Sequence, residues 1–194
     1  MIKGCIFDVD GTLLDSMVIW ESAGDKFLRK IGCVPEKDLA YKLKVLSINE
    51  SAAYLKKTYN LNLDDQEIVT GINSVVEDFY KNEEQLKNGV FDFIKKLHDL
   101  NIKMCLATAT DRFHIVAALS RCNVLEYFSD IITCTEVGKG KVSPDIYRQA
   151  LEKLGTPKCE TPIFEDALYA AKTAADDGFK VVGVYDEYEK HTEG

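Results

Sequence analysis

The pattern of apolar and polar positions changes character twice along the chain. Ile2 to Val9 is short and almost continuously apolar, the signature of a parallel strand covered on both faces. It gives way abruptly to Asp8-Val9-Asp10-Gly11. From Ser16 to about Leu86 the spacing turns helical and no strand is expected. Val18, Phe27, Leu28 and Ile31 mark a first helix, closed by Gly32. Leu39, Leu43 and Leu46 mark a second, and Ala52, Leu55 and Tyr59 a third. Ile68, Ile72, Val75, Val76 and Phe79 give a stripe on a fourth, with Asp64 or Asp65 as its N-cap.

Beyond Asn88-Gly89, strands and helices alternate. Val90, Phe93, Ile94 and Leu97 form a helix stripe, and Lys103 to Ala107 a buried strand ending at Thr108. A helix over Ile115, Val116, Leu119 and Cys122 precedes a strand from Ile131 to Cys134. Ser143-Pro144 opens another helix as N-cap and first helical residue, and Gly155 ends it. Pro162 to Phe164 is a short strand ending in Glu165-Asp166; Ala167 to Ala175 is a helix stopped at Gly178, and Lys180 to Tyr185 is a last strand. Alternation of β and α predicts an α/β chain: a Rossmann-like open parallel sheet with helices on both faces. Residues 1–15 and 87–194 make that core, and 16–86 form an all-helical insertion after the first strand. A ligand is then expected at the carboxyl ends of the strands.

Composition narrows the partners. The 194 residues suffice for a sizeable core, and 46% hydrophobic with 29% charged residues is ordinary for a globular protein. A net charge of −8 without a Lys/Arg block argues against nucleic acid or anionic membrane as partner. An anionic small molecule stays open, because one local cation can reverse the field in a pocket. Apolar runs are too short to span a bilayer, and Asp8 and Asp10 interrupt any signal-like run. The six cysteines show no C-x-x-C spacing and read as small buried hydrophobes of a reducing cytoplasm. With three scattered histidines, zinc is not expected; a metal here should be a hard, oxygen-liking ion such as Mg²⁺.

Chemistry collects where strands end. Asp8 and Asp10 follow the first strand, Thr108 ends the second, and Glu165-Asp166 closes a later one. Lys141 lies in the loop Gly138-Lys139-Gly140-Lys141. Alternation would send the Asp8 and Asp10 side chains to one side. Each residue has a plain explanation: a turn, a helix cap, a solvated lysine, acids favouring a helix N-terminus. Convergence is what these leave out, since carboxylates gathered at one rim repel unless a cation joins them.

D-x-D-G-T-L at a first strand, Thr at the end of the next, Lys before S-P-D, and E-D after a later strand together resemble the haloacid dehalogenase-like hydrolase superfamily. The helical insertion resembles the small cap of its β-phosphoglucomutase-like branch. The resemblance covers nearly the whole chain and implies a Mg²⁺-dependent phosphatase acting through an aspartyl phosphate. It makes Asp8 the nucleophile and a metal ligand, and Asp10 the acid and base, its backbone carbonyl also on the metal. Thr108 and Lys141 would hold phosphoryl oxygens, and Asp166 with Glu165 would complete the metal shell. The second Asp disfavours relatives that cleave carbon–halogen or carbon–phosphorus bonds. Val142 stands where the family commonly has Pro, and Ala167 and Ala170 where it often has Ser and Gly.

The expected partner is a small phosphate ester such as a sugar phosphate, handled by a cytoplasmic enzyme for which a monomer is favoured. The alternative is a sugar-phosphate mutase. Mutase relatives carry a His in the first cap helix and an Arg in a cap loop, whereas this chain has Trp20 near the first place and no Arg in Leu46-Ser47-Ile48-Asn49. Lys42 or Lys44 could substitute for that Arg, and Trp20 and Lys44 are candidate substrate contacts. A signalling receiver also combines acids, Thr and Lys, but phosphorylates an Asp after its third strand, a region that is helical here. A non-catalytic binding protein of the same fold is the remaining class. Relatives usually add a final helix after the position of Tyr185, so either the sequence stops short of that helix or one sheet edge is less covered than usual.

Overall fold

The computed structural model describes residues 1–43, 46, 48–82 and 85–189. The chain divides into two compact units, one of Met1–Ser16 with Glu84–Gly194 and one of Met17–Glu83.

The first unit opens with β1 (Gly4–Phe7), every residue of which is buried. The chain then enters the helical unit through α1 (Met17–Lys30), α2 (Leu39–Leu43), α3 (Ile48–Tyr59) and α4 (Asp65–Asn82). It returns to the first unit for α5 (Val90–Asp99), β2 (Lys103–Thr108), α6 (Arg112–Arg121), β3 (Ile131–Thr133) and the short α7 (Cys134–Val137). Next come α8 (Asp145–Leu154), β4 (Ile163–Glu165), α9 (Leu168–Asp176) and β5 (Val181–Gly183).

The five strands pair in parallel in the order β3-β2-β1-β4-β5. The chain therefore builds outward from β1 on one side and restarts with β4 on the other. That reversal beside β1 is where open α/β sheets place their ligands. Phe7 sits opposite Leu106 and Phe164, and Thr108 opposite Thr133. On one face the Phe7 ring stacks on Phe164 at 4.6 Å and meets Phe128 edge-on at 6.0 Å. On the other, Ile6, Cys105 and Ile163 pack with Ile146, Tyr147, Ala150 and Leu154. Those last four recur at helical spacing and form the buried stripe of α8.

In the helical unit, α4 opens on a capping box: Asp64 Oδ1 accepts from the Glu67 amide at 2.8 Å, and Glu67 Oε2 from the Asp64 amide at 2.7 Å. Gly71 of α4 faces Phe27 of α1, where a Cβ would lie 2.3 Å from the ring. No helix among the described residues is long and apolar enough to cross a membrane.

Several boundaries differ from the sequence reading. The chain returns to the first unit before residue 87, because Leu86 bridges Leu14 and the Asp15 amide donates to Gln85 O at 3.0 Å. Pro144 occupies the N-cap of α8 rather than its first helical position, and Ser143 Oγ donates to the Asp145 carboxylate at 2.7 Å. Cys134 leaves the strand to begin α7, because Thr133 with Glu136 forms a capping box there. Only Ile94 of the α5 stripe is buried. Strand β5 is three residues long with Val182 and Gly183 exposed, so this edge is thinly covered. Cys5 and Cys105 are buried as expected, but Cys159 is exposed.

Candidate active site at the carboxyl edge of the sheet

The ladder between β1 and β4 continues one residue past β1, with the Asp8 amide donating to Phe164 O at 2.9 Å. This delivers the Asp8 carboxyl to the sheet edge. The chain then curls back at once: the Leu13 and Leu14 amides both donate to Val9 O, at 2.8 and 2.9 Å. Gly11 closes the curl at φ +79°, where a side chain would be strained. Strand alternation therefore ends before Asp10, and the two acids find different partners.

Asp8 is gathered with Lys141 and the end of β4. The Lys141 ammonium, 4% exposed, donates to Asp8 Oδ1 and, at 2.8 Å, to Glu165 Oε2. The Tyr147 hydroxyl reaches the same Glu165 oxygen at 2.9 Å from within the core. Asp166 stands beside them and accepts from the Thr12 hydroxyl at 3.0 Å. One carboxylate oxygen from each of Asp8, Glu165 and Asp166 lies within 4.8 Å of the others. Three carboxylates against one ammonium leave two negative charges, which suits a divalent cation. All-oxygen donors suit a hard one. The donor set therefore fits the ion that the resemblance implies.

Titration behaviour carries the same imbalance. Burial pushes the Asp8 carboxyl up; Lys141 opposes this, while Asp166 and Asp10 reinforce it. Glu165 is pushed up to about 7, first by burial and then by Asp8, against the pull of Lys141. Burial works against the Lys141 charge, but Asp8 and Glu165 outweigh it and hold the ammonium well above its ordinary range. Asp166 is also raised by burial. The lysine is thus firmly charged, and the carboxylates are in excess.

Asp10 is not one of those three carboxylates. Its Oδ1 is bonded by the Ser16 hydroxyl at 2.6 Å and its Oδ2 by the Thr110 hydroxyl at 2.7 Å. Thr108 is fully buried at the end of β2, and its hydroxyl accepts from the Thr110 amide at 3.0 Å. It does not cap α6, whose N-cap is Asp111. In the helical unit, Trp20 Nε1 donates to the Tyr80 hydroxyl at 3.0 Å. Lys42 pairs with Glu36 and Asp38. Lys44 lies outside the described residues. A groove of about 520 Å³ lined by Asp111, Phe113, Val116 and Thr135 contains none of the clustered carboxylates.

Four residues of the site were not singled out in the sequence. Thr12 stands inside the D-G-T-L motif and could have been. Tyr147 is a polar group on the buried stripe of α8, a signal in itself. Ser16 and Thr110 carry no signal, because the curl after Asp10 creates their contact. At two departures from the family pattern, Ala167 stands at the N-cap of α9 with no side-chain bond, and Val142 is exposed.

Known proteins resemble this chain along most of its length. The chain is 27% identical to the phosphorylated carbohydrates phosphatase of Thermotoga maritima, covering 94% of this chain and 85% of that one. It is 26% identical to β-phosphoglucomutase of Bacillus subtilis, over 94% and 83% of the two chains. The crystal structure of CbbY from Rhodobacter sphaeroides in complex with phosphate superposes with a TM-score of 0.82 at 25% identity, over 100% of this chain and 90% of that one. Residues 5–184 match the sequence profile of the haloacid dehalogenase-like hydrolases, and the chain belongs to that family.

Proposed function

We propose that this enzyme is a Mg²⁺-dependent phosphatase that hydrolyses a small phosphorylated metabolite, such as a sugar phosphate, through an aspartyl phosphate. The observation that carries the reading is the gathering of Asp8, Glu165 and Asp166 around one buried lysine. The names of relatives that act on phosphorylated carbohydrates support the substrate class. Asp8, Glu165, Asp166 and the Asp10 backbone carbonyl would hold the ion. When bound, it screens the anionic ester from the carboxylates and stabilises charge on the phosphoryl oxygens.

Asp8 attacks phosphorus with one carboxylate oxygen, forming a P–O bond as the bond to the leaving alcohol breaks. Asp10 gives its proton to that departing oxygen. It then takes a proton from the water that attacks phosphorus and frees Asp8, releasing inorganic phosphate. The Ser16 and Thr110 hydroxyls hold Asp10 from both sides, and a hydroxyl can accept from the protonated acid as readily as it donates to the anion. Lys141 and Thr108 hold phosphoryl oxygens, and the fixed lysine charge gains in value as the transition state develops.

The test is a panel of sugar phosphates and nucleotides assayed with and without Mg²⁺. Wild-type turnover that Asp8→Asn abolishes supports the reading; equal inactivity of both proteins sinks it. The mutase reading, favoured by the Bacillus relative, predicts instead isomerisation of a sugar monophosphate stimulated by a bisphosphate.

A further inference from the structure

The two oxygens of Glu165 are served unequally although the residue is 1% exposed. Oε2 accepts two strong donors, the Lys141 ammonium at 2.8 Å and the Tyr147 hydroxyl at 2.9 Å. Oε1 meets the Ala167 amide at 3.4 Å, longer than a good N–H···O bond. A buried carboxylate oxygen left so poorly served is costly unless a ligand completes it.

Tyr147 is fully buried on α8, its ring packed edge-on against Phe179 at 6.3 Å. A phenylalanine would fill that core space equally well, so the hydroxyl answers to Glu165 rather than to packing. Lys141 cannot hold Glu165 alone through a reaction cycle, because the same ammonium also serves Asp8 and is the group expected to turn toward a phosphoryl oxygen. The tyrosine has no such second duty among the described residues.

We propose that Tyr147 is a positioning residue of the metal centre. By fixing Oε2 it keeps Glu165 oriented with Oε1 available to the cation shared with Asp8 and Asp166, including when Lys141 engages substrate. Partners that orient a ligand from behind in this way set metal affinity without touching the metal. The inference rests on reading Asp8, Glu165 and Asp166 as the metal site.

The test is calorimetric titration of the intact, substrate-free protein with Mg²⁺, using wild type, Tyr147→Phe, Glu165→Gln and the double variant. Wild type should bind Mg²⁺, and Tyr147→Phe should bind it about 10–100-fold more weakly. Its metal-free circular dichroism should be unchanged, and its kcat should return toward wild type at saturating Mg²⁺. In the Glu165→Gln background, Tyr147→Phe should cause no further loss. Unchanged Mg²⁺ affinity in Tyr147→Phe overturns the proposal, as does an equal loss in the Glu165→Gln background. Wild type that binds no Mg²⁺ overturns the metal reading itself, a distinct result.

Discussion

Two charge clusters of the α/β unit both join carboxylates to cationic side chains and behave oppositely. At Asp177, one carboxylate meets two cations: Arg148 Nε lies 3.2 Å from each oxygen, and Lys158 Nζ is 2.8 Å from Oδ2. The cluster is open to water on the arginine side, and its cations hold Asp177 down at about 2. At Lys141, one buried cation meets the buried Asp8 and Glu165, with the half-buried Asp166 close by, and Glu165 rises to about 7. The sign of the surplus charge and the access of solvent decide the outcome. The first cluster is balanced by its own cations, whereas the second keeps a surplus of negative charge that a cation could hold.

Exchanging the two acids for amides should separate the clusters most widely. Asp8→Asn should lower phosphatase turnover by at least about 10³-fold, and Asp177→Asn should leave it unchanged. A steady-state assay that finds similar losses would erase the distinction. Removing the buried cation comes next: Lys141→Met should cost about 3 kcal/mol in urea unfolding without metal, because it strands buried carboxylates. That cost should shrink when Mg²⁺ is saturating.

Mg²⁺ itself should stabilise the wild type by about 2–3 kcal/mol at a hundred times its dissociation constant, read as a rise in Tm. Asp166→Asn should abolish most of that rise. The smallest effect belongs to Asp177. Its folded pKa is depressed, so its contribution is present above the unfolded value and lost as pH falls through the folded one. Asp177→Asn should therefore cost about 1 kcal/mol or less at pH 7, given solvent screening, and the difference from wild type should vanish as pH falls from about 4 to about 2.

Sequence pattern reached the architecture because periodicity records burial directly. The apolar run before Asp8 and the alternation after Asn88 carried the sheet, and the stripe at Ile68, Ile72 and Val76 carried α4. Boundaries were less legible where local hydrogen bonding competes with the pattern. Thr133 and Glu136 cap a short helix in which Cys134 had looked like strand, and Ser143 bonds a side chain instead of capping α8.

In the site, the acids and Lys141 could be read because charge at strand ends is rare without a purpose. Their grouping could not be fully read. Asp10 leaves the strand period through the Gly11 curl, so its partners Ser16 and Thr110 depend on a turn that alternation does not describe. Tyr147 was hidden for the opposite reason: on a buried stripe it satisfies the helical pattern as any large apolar residue would.

The central place of β1 has a consequence for how the protein is made. β1 is synthesised before both of its neighbours, which lie about 100 and 160 residues further along. Synthesis runs from the N-terminus at roughly 5–20 residues per second. The helical unit can therefore gain structure on the ribosome while β1 still lacks both flanking strands. Such distant pairings are slow to close. Asp8 would leave the ribosome more than about 150 residues before Glu165 and Asp166. A nascent chain would thus bring Glu165 and Asp166 beside Asp8 only once β4 has docked.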